Sequence, residues 1–121
     1  MISWGTILYG AALSALVSGV ILALWPRTRR ATILVPAVAA SFAGPIAWNA
    51  ILRATSAREF FTDAPIVVLP ASWQDTGSGI FTFALSAMLL GIARHRDPAG
   101  EVIAIAGVTG LVAFLVDVYV Y

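Results

Sequence analysis

The chain has 121 residues, 60% of them hydrophobic and 11% charged, a formal net charge of +1 and no cysteine. A water-soluble fold of this length has too small a core to hide so much apolar surface, so the composition excludes an ordinary soluble domain. Disulfides, thiolate metal sites and cysteine nucleophiles are excluded too, and no basic run is long enough to follow a nucleic-acid backbone.

The hydropathy pattern predicts an all-α polytopic membrane protein, one domain over residues 1–121 with four transmembrane helices as two antiparallel hairpins. The first span is 3–25, SWGTILYGAALSALVSGVILALW, with no charge over 23 residues. That is about 34 Å of helix, enough to cross a hydrocarbon core of roughly 30 Å. No basic segment precedes it and its arginines follow it, so it reads as a retained helix rather than a cleaved signal.

A short turn carries Arg27, Arg29 and Arg30. The second span, 31–52, contains Pro36 and Pro45, which a membrane helix tolerates when neighbours re-satisfy its backbone. The long loop 53–72 comes next. In it Ser56-Ala57-Arg58-Glu59 has the S-x-x-E capping pattern, which predicts a short interfacial helix over about 57–63. Phe60 and Phe61 would dip into the membrane interface. Ile66, Val67, Val68 and Leu69 form an apolar piece between Pro65 and Pro70, too short to span. Two roles fit that piece: a cover over the bundle, or a patch offered to a partner. These six apolar side chains are the candidate partner-binding residues.

The third span, 73–94, should begin behind Ser72, which with Asp75 makes an S-x-x-D cap. Arg94 and Arg96 lie in the second short turn, and Asp97-Pro98 is expected to open the fourth span, 98–121.

Five of the seven basic residues, Arg27, Arg29, Arg30, Arg94 and Arg96, fall in the two short turns. The positive-inside rule then places those turns in the cytoplasm and both termini and the long loop outside. Trp4, Trp48, Trp73, Tyr119 and Tyr121 fall at the expected outer level and Trp25 at the inner one, which agrees. Arginine without lysine, beside abundant alanine, is the bias of a GC-rich bacterial genome, and the expected location is a bacterial inner membrane.

Small residues recur four apart in every span, among them Gly10, Ser14 and Ser18, then Ala39, Ala43 and Ala47 beside Ala40 and Gly44. They also include Ala87 and Gly91, and Ala106 and Gly110. Such rows let membrane helices approach closely. Asp117 is the one carboxylate well inside a span's end and a functional-site candidate by default. Arg53 lies at a similar depth, so an Arg53–Asp117 ion pair is expected. His95, flanked by arginines, offers no base to a nucleophile on the far side, and no metal-ligand or phosphate-cradling motif is present. The midplanes offer only Ser14, Ser18, Ser41, Ser86 and Thr109, thin material for ion coupling.

The expectation is a non-catalytic protein without cofactor. It would be an accessory subunit in the lipid bilayer that stabilises or positions a larger membrane complex. An ABC-type envelope lipid transporter is the first host and a respiratory complex the second. The alternative is a small homo-oligomeric transporter or pore.

Overall fold

The structure, a computed structural model, describes residues 2–120. It is all-helical: α1 is Trp4–Leu24, α2 Ala31–Ala54, α3 Trp73–Ala93 and α4 Ala99–Val120. Each is long and apolar enough to cross a bilayer, which fits a multi-pass membrane protein. Tyr121, expected in the last span and the outer aromatic level, lies outside the described residues.

Local chemistry sets most of the helix ends. Ser3 caps α1, its hydroxyl accepting from the Thr6 amide at 3.2 Å. At α3 the full capping box forms: Ser72 Oγ accepts from the Asp75 amide at 3.2 Å, and Asp75 Oδ2 from the Ser72 amide at 2.8 Å. α2 runs unbroken through Pro36 and Pro45. It ends in a Schellman motif, in which the Ala57 amide reaches Leu52 O at 3.0 Å and the Ser56 amide Arg53 O at 3.3 Å. Ser56 supplies the left-handed residue this motif needs, with φ 54°.

Two expected starts are therefore corrected. Ser56 is committed to ending α2 and caps nothing. The expected helix 57–63 is instead a short 3₁₀ turn, Arg58–Phe61, with no side-chain cap. Asp97 does not open α4 as expected either. Its carboxylate accepts from Arg94 Nε at 2.8 Å, and the first helical bonds run to the Pro98 carbonyl.

α1 packs on α2, α2 on α3, α3 on α4, and a looser α1–α4 contact closes the ring. One end of the bundle gathers the start of α1, the end of α2, the start of α3 and the end of α4, together with the long loop. Glycines carry the closest approaches. A Cβ on Gly110 would lie 2.8 Å from Gly79 O, and one on Gly44 2.8 Å from Thr82 Cα. At the other end Ile33, Leu90 and Val102 form a small apolar core with Ile105 against it.

Candidate functional site

The bundle buries many small polar side chains among its apolar ones, while large apolar side chains cover its outside. Ser14 and Ser18 of α1, Ser41 and Asn49 of α2, Thr109 and Asp117 of α4 are all buried, while Leu16, Val20, Val35, Ile80, Ile92 and Leu111 are exposed. On α3 the spacing of four puts Gln74, Ser78, Thr82 and Ser86 in one buried row that ends at Leu90. Lipid is as apolar as leucine, so burying small polar groups between helices costs little when they find partners, and it gives the helices something specific to hold.

At the loop end these residues meet. Gln74 Nε2 points at three oxygens: Asp117 Oδ2 at 3.0 Å, Asn49 Oδ1 at 3.4 Å and Ser78 Oγ at 3.4 Å. Asn49 in turn donates to Pro45 O at 2.8 Å. Trp48 braces the cluster, donating from Nε1 to Gln74 O at 3.1 Å, with its ring 5.3 Å from Phe81 and 6.1 Å from Phe60. Gly77 leaves the room for that indole, which a Cβ would strike. Deeper in the row, Ser86 and Thr109 share a hydrogen bond at 2.6 Å, and Thr109 also donates to Ala106 O. The hydroxyls of Ser14, Ser18 and Thr82 are buried without a hydrogen-bond partner.

The expected Arg53–Asp117 ion pair is not formed. Among the described residues the ion pairs are Arg27–Glu101 and Arg94–Asp97. Arg53 turns toward α1 instead, donating from Nη2 to the Ile2 carbonyl and standing 4.8 Å over the Trp4 ring. The reason is local: α1 begins beside the end of α2 and offers both an acceptor and an aromatic face. α3 meanwhile fills the space before Asp117 with the Gln74 amide.

The six apolar loop residues divide. Phe60 leans on Trp48 and Phe61 is half-buried, whereas Val67 is 99% and Val68 78% exposed. The Ala64 amide bonds Ala71 O at 2.8 Å and closes the loop's neck. Tyr119 OH donates to the Val68 carbonyl and ties the tip to α4. The tip is held, yet its valines do not cover the bundle.

The five arginines of the short turns all lie at the opposite end. Arg94 links its turn to α2 through Thr32 Oγ1 at 2.8 Å, and Arg29 Nε bonds Ala23 O at 2.5 Å. Arg27, Arg30 and Arg96 are exposed, as is His95. Among the described residues no three of His, Asp and Glu gather to hold a metal ion.

Sequence reasoning missed Gln74, which lies inside the S-x-x-D cap. The signal was present in the four-residue repeat Gln74, Ser78, Thr82, Ser86.

Four helices apolar enough to span a membrane fit a multi-pass membrane protein, one with a buried polar cluster and a projecting apolar loop. No protein-family model, curated protein or solved structure matches this chain.

Proposed function

We propose that the protein is a non-catalytic accessory subunit of a larger complex in a bacterial inner membrane, where it stabilises or positions that complex. In this reading the four helices form two antiparallel hairpins, the arginine turns are cytoplasmic, and both termini and the long loop are outside. The 3₁₀ turn Arg58–Phe61 then rests at the outer interface. An ABC-type envelope lipid transporter is the first host and a respiratory complex the second.

One observation carries the reading. The tip Ile66–Leu69 is apolar and anchored by Tyr119, yet Val67 is almost fully solvent-facing. Exposed valines on a held loop are the signature of a surface meant to be covered. Val67→Asp leaves every described hydrogen bond of the loop intact and places a charge at its most exposed point. Purified in mild detergent, the tagged Val67→Asp protein should reach the membrane at wild-type level and lose the proteins that co-purify with wild type. Equal losses of insertion and co-purification would reduce the tip to a structural lid.

A second reading, a small homo-oligomeric transporter or pore, is favoured by the buried row from Gln74 to Ser86 and by three buried hydroxyls without a hydrogen-bond partner, Thr82 in that row and Ser14 and Ser18 on α1. Buried hydroxyls and a carboxylate within spans mark solute pathways in other membrane proteins. A protein that elutes only as itself and moves a solute across liposome membranes would establish it in place of the first.

A further inference from the structure

A lateral groove of about 220 Å³ opens between the second half of α1 and the first half of α4, at the arginine end. Its walls are Ile21, Leu22, Trp25, Ala104, Ile105 and Val108, with Thr28 at the turn. A second hollow of about 160 Å³ shares Trp25, Thr28, Ala104 and Ile105 with it and carries Arg27 and Glu101. The two make one slot, apolar along the helices and charged where the chain leaves them.

We propose that this slot is a phospholipid site. One acyl chain of phosphatidylethanolamine lies between α1 and α4, its phosphate on Arg27 and its primary ammonium on Glu101.

The apolar part follows from position. Both helices are long and apolar enough to cross a bilayer, so hydrocarbon is what surrounds the groove. Left empty there, its walls would forfeit dispersion contacts that a chain restores. Trp25, exposed beside the mouth, suits the headgroup level.

The choice of headgroup follows from the charges. Arg27 Nη2 and Glu101 Oε1 are 3.9 Å apart on side chains 85% and 53% exposed. So long and solvated a pair holds itself together weakly, which leaves both groups available to a ligand. A phosphate on Arg27 with no cation beside it would bring a second negative charge up to Glu101. An ammonium next to the phosphate removes that conflict and donates hydrogen bonds to the carboxylate. A quaternary ammonium has no N–H to give. The site is the same whichever leaflet this end of the bundle faces, and it needs no partner protein.

Native mass spectrometry of the full chain in detergent tests it, with phosphatidylethanolamine, phosphatidylglycerol and phosphatidylcholine of identical chains. The ethanolamine lipid should bind about fivefold tighter than either other. Glu101→Gln should abolish that preference over phosphatidylglycerol, and Arg27→Gln should weaken all three lipids alike. Ala104→Trp, which fills the groove from an exposed wall position, should remove the tight ethanolamine binding at unchanged helicity. Equal binding of the three lipids to the wild type overturns the proposal, as does undiminished binding to Ala104→Trp. Should that variant not fold, a phosphatidylethanolamine with a photoreactive mid-chain group reports on the unaltered protein. Crosslinks at 21–25 and 104–108 support the site, and labelling spread evenly over all four helices overturns it.

Discussion

Asp117 and Arg53 share a depth, but their contacts lie with different neighbours. The carboxylate takes a hydrogen bond from Gln74, a residue 43 positions away in the chain. The guanidinium takes the Ile2 carbonyl and the Trp4 ring. Two expectations follow at this scale. Gln74→Leu, which removes the donor while keeping the volume, should lower thermal stability in detergent by about 1–2 kcal/mol. Combined with Asp117→Leu the loss should be smaller than the sum of the single losses, because the two side chains act as a unit. Conversely, Arg53→Gln and Asp117→Asn should be additive within about 0.5 kcal/mol. A coupling larger than that would restore the ion pair. Depth was readable in the sequence, but rotation about each helix axis was not, and rotation is what chose the partners.

At the scale of elements, the caps divide by how local they are. The Ser72–Asp75 box was readable because both partners sit within one turn and nothing else competes for them. Ser56–Glu59 had the same spelling, but α2 had to end first, and the Schellman reversal took Ser56 into a left-handed conformation that cannot serve a following helix. The rows of small residues were also visible without their direction. Ala40 and Gly44 face inward, joined by Ala37, while Ala39, Ala43 and Gly91 face outward. Gly44 and Gly91 make a controlled comparison. A methyl on Gly44 would meet the Thr82 backbone at 2.8–2.9 Å, while nothing lies within 4 Å of one on Gly91. Backbone cannot give way as a side-chain end can, so Gly44→Ala should cost about 1–3 kcal/mol. Gly91→Ala should stay within about 0.5 kcal/mol of wild type. Equal effects in a thermal unfolding assay would overturn the close α2–α3 approach at Gly44.

For the whole molecule, the proposed orientation has a direct measurement, helped by a chain with no cysteine of its own. Thr62 in the long loop and His95 in the second short turn are both exposed. In intact cells a membrane-impermeant maleimide should label Thr62→Cys and leave His95→Cys untouched until the membrane is opened. The reverse pattern would invert the molecule, and labelling of both from one side would break the four-span reading.

The sequence by itself determined that there are four helices long and apolar enough to cross a bilayer, where they start and stop to within a residue or two, and that the arginines collect in the short turns. Those properties depend on composition along the chain and on partners within one helical turn. Only the tertiary structure decided which faces look inward, what Asp117 and Arg53 touch, that Gln74 sits among three oxygens, and that Val67 points away from the bundle. The reason is the solvent. In water one apolar stripe announces the face of a helix that will be buried. In lipid both faces are apolar, so a helix's rotation is set by small contacts, a glycine against a backbone or an amide against a carboxylate, that appear only once its neighbours are in place.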